Sequence, residues 1–364
     1  MSRTRIVKVG ALVVAVAIGL AVPYVAGSYI VSILTLGLIY ALYAMSIDLM
    51  GGYGGLVTLG QGGILAAGSY GVGYVAARMG GGFGQQLLWA LLATLLISAL
   101  FGIMAMRTSQ VYFLMVTLAQ GMIVWGFVTR STVLGAENGL RGIERPPMVS
   151  AYWKYYYLCL AVVVTSGLVM ALITRSPLGL SLRALKDSET RMRMLGYSLS
   201  LTKFYVFMLS GLFAGIAGTL LAYYTKFVSP ANAAFAISGR GVLMAILGGI
   251  GTLFGPVIGA FIIVLTENIL SIYFARWTTV LGLIFILTIM FAPDGLVGAG
   301  RSMIARWRGR PDDRPAGGPL GAGPLIGSGR QAPGTTGGGG DGSTAPDAAR
   351  VPDPAGDDQR GVDT

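Results

Sequence analysis

Residues 29–50 read Tyr29-Ile-Val-Ser-Ile-Leu-Thr-Leu-Gly-Leu-Ile-Tyr-Ala-Leu-Tyr-Ala-Met-Ser-Ile-Asp-Leu-Met50, followed at once by Gly51-Gly-Tyr-Gly-Gly-Leu-Val-Thr-Leu-Gly-Gln-Gly-Gly63. The first stretch carries one charge, Asp48, near its end. A helix needs about 20 apolar residues to cross the hydrocarbon of a bilayer, so this run predicts a membrane span. Working outward, runs of the same kind recur near 9–26, 56–77, 87–106, 111–130, 153–174, 204–225, 255–271 and 277–293. The composition agrees. The chain of 364 residues is 54% hydrophobic and 11% charged, with a mean hydropathy of +0.71, against about 25% charged residues in soluble domains. One Cys and no His exclude a disulfide scaffold, a zinc site built on those residues and imidazole catalysis.

The charge divides the chain into two materials. Residues 1–310 hold 22 Lys/Arg and 7 Asp/Glu, whereas 311–364 hold 4 and 8. That last stretch has 14 Gly and 8 Pro and no aromatic residue, so it cannot bury enough apolar surface to offset its ordering entropy. The division expected is a transmembrane domain over 1–306 and a disordered tail over 307–364. The G-x-G-x-x-G match at Gly337–Gly342 falls in the tail with no strand before it, and carries no meaning.

Lys/Arg bias sets the orientation. Arg3, Arg5 and Lys8 place the N-terminus in the cytoplasm, and successive crossings put 131–152 outside and 175–203 inside. The cluster Arg301, Arg306, Arg308 and Arg310 belongs inside as well, and parity then requires 236–249 to cross. The expectation is about ten transmembrane helices with both termini cytoplasmic. Arg141 and Arg145 sit on the wrong side of that layout. The first span also fits a cleaved signal peptide, but the span that follows almost immediately favours an uncleaved one.

Glycine crowds two stretches that share G-G-x-G-x-L, Gly51–Leu56 and Gly248–Leu253. Glycine weakens a helix by about 1 kcal/mol relative to Ala, so its use implies broken helices lining a cavity, or close helix contact through small-xxx-small spacing. Thr58, Gln61 and Thr117 add neutral polar groups within Gly-rich or apolar spans. Two readings stand for them: a translocation path, or interhelical hydrogen bonds. Asp48 and Glu267 are the ionisable groups noted within spans, with Arg78 near an interface. Asp48 lies near the inner end of its span and Glu267 near the outer end of its own, so each has the option of reaching headgroups or pairing with an amide. No acidic relay at mid-membrane emerges, which argues against a proton-coupled carrier. No Gly-Lys pair exists anywhere, so there is no phosphate loop, and any nucleotide site would be on another protein.

The cytoplasmic segment 175–203 starts with Ser176-Pro177, an N-cap followed by a residue suited to the first helical turn. Leu178, Leu182, Leu185, Met192 and Leu195 recur at helical spacing, and Gly196 is the expected stop. This predicts one amphipathic helix of about 18 residues. It would either lie on anionic headgroups or dock on a partner, with Arg183, Asp187 and Glu189 setting the register.

Ser176-Pro-Leu-Gly-Leu-Ser-Leu-Arg-Ala-Leu-Lys-Asp-Ser-Glu189, the Met-Leu-Gly ending at Gly196, and Ser210-Gly-Leu-Phe-Ala-Gly-Ile-Ala-Gly218 together resemble the M-type membrane permease of branched-chain amino acid ABC importers. Gly54–Gln61, Gly135–Gly142, Gly248–Pro256 and Ala292–Val297 resemble it too, in order, over about 28–298. Thr190-Arg191-Met192 departs from a small-residue pair usual there. The resemblance implies an all-α polytopic fold of the type II importer class and no enzymatic activity. It implies a bacterial inner-membrane location and a cytoplasmic coupling loop over 176–203, with Arg183, Asp187, Glu189 and Gly196 meeting the ATPases. The partners it implies are a homologous H-type permease, two ATPase subunits that hold the ATP, an extracytoplasmic substrate-binding protein and the lipid bilayer. No cofactor, metal or nucleic acid is implied for this chain. Urea and short-amide importers use similar permeases, and a stand-alone secondary carrier is the rival from another class.

Overall fold

The computed structural model describes residues 27–108 and 110–273, with isolated positions in 17–24 and 279–295. The expected spans at 9–26 and 277–293 lie mostly outside the described residues, and the tail lies wholly outside them.

Among the described residues the regular structure is helical apart from one two-residue strand pair. The helices are α1 (Ser28–Asp48), α2 (Gln61–Tyr74), α3 (Phe83–Ala105), α4 (Gln110–Arg130), α5 (Tyr152–Ile173), α6 (Pro177–Asp187), α7 (Glu189–Met194), α8 (Leu199–Thr225), α9 (Phe235–Gly248) and α10 (Gly255–Tyr273). π-helical turns extend α1 over Leu49–Tyr53 and α2 over Val75–Met79. Among the described residues six helices are long and apolar enough to cross a membrane, namely α1 with its extension, α3, α5, α8, α10 and residues Val111–Arg130 of α4. α9, with 14 residues, is about 21 Å long and does not cover a 30 Å layer unaided.

The helix that organises the fold is α2. Every residue of it except Ala67 and Tyr74 is buried, and it packs against α8, α3 and α4. Its small residues permit this on several sides at once. A Cβ on Gly68 would overlap the Gly215 carbonyl of α8, one on Gly71 would overlap Ala90 of α3, and Gly63 lies against Gly121 of α4. Around it the outer faces of α3, α4 and α5 expose large apolar side chains, among them Leu96, Ile123, Phe127 and Leu172. Exposed apolar surface on that scale marks contact with lipid or protein rather than water.

Two short strands pair beside α2 and α8. β1 (Leu140–Arg141) pairs antiparallel with β2 (Phe227–Val228). Arg145 donates from Nε to the Tyr223 carbonyl (2.9 Å) and from Nη2 to the Tyr224 carbonyl (3.1 Å) at the end of α8. Its guanidinium lies 4.3 Å from the Tyr155 ring centroid. Arg145 is therefore committed to capping helix carbonyls, and Arg141 stacks over Phe227 at 5.6 Å. Both charges that run against the Lys/Arg bias have local structural partners.

Candidate functional site

Two polar regions stand out in this apolar chain: the break between α1 and α2, and the α6–α7 segment with the loops it touches.

Hydropathy places a span at 56–77, but the helix begins only at Gln61, and residues 54–60 are non-helical. Backbone at membrane depth needs partners inside the protein, and the three path candidates supply them. Thr117 Oγ1 accepts from the Leu59 amide (3.3 Å) and Thr58 Oγ1 from the Gly60 amide (3.2 Å). Gln61 Nε2 donates to Ser210 Oγ (2.6 Å), which in turn donates to the Ser46 carbonyl (2.6 Å). Ser238 Oγ of α9 accepts from the Gly62 amide at 2.9 Å. Thr58, Gln61 and Thr117 are all fully buried. The structure thus brings the three together as a hydrogen-bonded plug, with no side chain facing open space. Ser210 and Ser238 belong to the same network, a role the sequence does not signal, because a lone Ser in an apolar run is a weak cue.

The expected single amphipathic helix is two helices. Ser188 breaks it in an extended conformation (φ −168°, ψ 113°), and its hydroxyl accepts from the Arg191 amide to start α7. The apolar stripe does not face a partner as a unit either. Leu182, Leu185 and Met192 are buried, whereas Leu178 and Leu195 are exposed. The buried three pack onto this chain, because that face meets α8 and the end of α1. What remains outward on and beside the segment is a different apolar set: Leu178, Leu180, Met194, Leu195, Tyr197 and Leu201.

Charges tie the segment down. Lys186 Nζ donates to the Gly52 carbonyl (2.9 Å), and Arg183 Nη2 to the Thr174 carbonyl (3.3 Å). Arg183 also lies 5.9 Å from the Tyr53 ring centroid. Glu189 pairs with Lys203 at 2.9 Å, and Lys203 Nζ donates to the Thr108 carbonyl at 2.8 Å. Lys203 is only 4% exposed. Glu189 is thus an anchor of α7 to α8, whereas Asp187 and Gly196 are exposed. Gly196 follows α7 with φ +82°, the left-handed geometry that ends a helix most cheaply at glycine.

The two G-G-x-G-x-L stretches meet here. Asp48 Oδ1 accepts from the Gly251 amide at 2.6 Å, and a Cβ on Gly52 would overlap both Asp48 and Gly251. A cavity of about 390 Å³ opens between Gly54–Leu56 and the residues around the Ser188 break. Lys186 therefore joins α6 to the point where both Gly-rich turns touch. Its partner is a carbonyl more than a hundred residues away, which sequence spacing cannot reveal.

The description "Branched-chain amino acid transport system / permease component" belongs to a family whose profile matches residues 29–292. The chain belongs to this family. It is a multi-pass membrane permease component and not an enzyme. It is 29% identical over 314 residues to the high-affinity branched-chain amino acid transport system permease protein LivM of Escherichia coli K12, covering 79% of this chain and 74% of that protein. The LivM protein of Salmonella typhimurium LT2 is also 29% identical, over 77% of this chain and 72% of its own length. A shorter similarity, 26% over 145 residues, reaches the autoinducer 2 import system permease protein LsrC of Klebsiella pneumoniae, covering 38% of this chain and 41% of that protein. No solved structure matches the chain. Within the permease, the break at 54–60 and the α6–α7 segment both lie inside the matched region.

Proposed function

We propose that this permease carries branched-chain amino acids inward as one half of a pore, with a homologous H-type permease as the other half. Two ATPase subunits supply the energy from the cytoplasm, and an extracytoplasmic binding protein delivers the substrate. The chain crosses about ten times with both termini cytoplasmic; residues 1–306 form the permease domain and 307–364 a tail without a packed role. The observation that carries the reading is the family match over 29–292, joined to similarity with LivM proteins over more than two thirds of their length.

Within that reading, α6 and α7 receive the ATPases. Their buried side and the bonds from Lys186 and Lys203 hold them to the body, so the outward apolar set around Leu180 and Met194 is left to insert into a partner. Arg183 and Asp187 frame that surface, with Glu189 held to Lys203 beside it, and rim charges of this kind set partner choice and orientation more than affinity. Thr58, Gln61 and Thr117 hold the broken helix and touch no passing substrate. Leu180→Asp with Met194→Asp tests the docking surface in cells that co-express the four partners. Normal membrane abundance with loss of ATPase co-purification and leucine uptake is expected. Retained co-purification would send the segment back to the headgroup surface.

A further inference from the structure

Arg240 of α9 and Glu267 of α10 form an ion pair at 3.3 Å, with side chains 23% and 22% exposed. The guanidinium also lies 5.9 Å from the Tyr40 ring centroid of α1. Among the described residues there are two ion pairs, and only this one joins two apolar helices along their length.

Three helices give its depth. Asp48 and Gly251 mark the level at which α6 crosses the ends of α1 and α9. From there Tyr40 is eight residues back along α1, Arg240 eight residues back from Gly248 along α9, and Glu267 twelve residues on from Gly255 along α10. At 1.5 Å per residue these are about 12, 12 and 18 Å. In a hydrocarbon layer of about 30 Å the pair is near the middle. Ser238, two residues from Arg240, caps the start of α2 at the same depth. A half-open charge pair there is expensive against lipid tails and marks a substrate or ion pathway.

We propose that the α9–α10 face lines the water-filled path, and that Arg240 and Glu267 take the carboxylate and the ammonium of a passing amino acid. The chemistry matches: a zwitterion presents one group of each sign, and the guanidinium fork suits a carboxylate. The ligand exchanges with the pair, so each charge keeps a partner whether the path is empty or loaded. Gly239, about 100° around α9 from Arg240, has no atom within 4 Å of the place a Cβ would take, so α9 is also open on that adjoining side. This inference rests on the importer reading.

The test uses the full complex with its ATPases, second permease and binding protein in proteoliposomes. Arg240→Gln and Glu267→Gln should each lower leucine moved per ATP hydrolysed at least tenfold, with ATP hydrolysis kept within twofold. The exchanged pair, Arg240→Glu with Glu267→Arg, should not restore it. Restoration would make the pair an internal pin, and loss of the second permease on purification would make it a subunit contact; either overturns the assignment. Gly239→Cys leaves the pair intact and reads the side of α9 that adjoins it, since Cys159, the single native thiol of this chain, is buried. A small charged thiosulfonate should modify it from the aqueous phase, and absence of modification overturns the water-filled path. A wild-type complex that moves no leucine would overturn the importer reading and this assignment together; a transporting wild type with unimpaired Gln variants would overturn the assignment alone.

Discussion

The two Gly-rich breaks share a motif and differ in how their polar groups are treated. At the first, between α1 and α2, Thr58, Gln61, Thr117, Ser210 and Ser238 are all buried and each makes a hydrogen bond, with Gln61 Oε1 alone among them left without a partner. At the second, between α9 and α10, the polar groups deeper along the helices are charged and partly open. A polar residue in an apolar span is therefore not evidence of a path by itself. Burial and the identity of its partner separate a plug from a lining.

The largest effect expected is in α2, the helix that the plug begins. Gly68→Val places methyls in the Gly215 carbonyl; overpacking costs about 1–3 kcal/mol and more where backbone must move. Most of the chain should disappear from the membrane on immunoblots, whereas Gly239→Ala on the open face should be silent. Equal abundance of the two variants would erase the contrast between the regions. Next comes Lys203→Met, which strips both Glu189 and the Thr108 carbonyl of their donor. Breaking a buried pair costs about 3–5 kcal/mol, and the cost is less here because Glu189 is 26% exposed. Proteolysis near residues 188–198 should accelerate several-fold, and Glu189→Gln should do less, because Lys203 keeps its carbonyl. Identical proteolysis rates for the two variants would mean that the carbonyl bond holds nothing.

Gln61→Leu comes third. It removes one interhelical bond, worth about 0.6–2 kcal/mol in a membrane, so detergent stability should fall slightly while uptake per molecule changes less than twofold. A tenfold loss of uptake at full abundance would move Gln61 from plug to path. The smallest effect belongs to Gly196→Ala, where a left-handed residue gains a Cβ at a cost of about 1–2 kcal/mol in an exposed turn; a small drop in thermal midpoint with unchanged uptake is expected.

These regions also mark how far the sequence was legible. The long apolar runs give α1, α3, α4, α5, α8 and α10 within a few residues, because one property, hydropathy, decides them. The start of α2 was not legible: Leu56-Val-Thr-Leu is as apolar as a helix, and only the bonds from Thr117 and Ser238 show where it begins. The Ser188 break hides inside a stripe whose spacing continues through it. Glu189 reads as a rim charge until Lys203 is seen beside it. Arg240 escaped notice as an intramembrane charge because its short helix was inferred from parity rather than from its own composition. Its partner Glu267 was visible alone, without the depth that makes the pair informative.

The central claim is that this chain is a permease whose work is driven by ATP hydrolysed on other subunits. Proteoliposomes holding both permeases, assayed with binding protein and leucine, with and without the two ATPases, test it most directly. Uptake should require the ATPases and ATP and should ignore ion gradients. Gradient-driven uptake by the permeases alone would contradict the account and make the chain a secondary carrier.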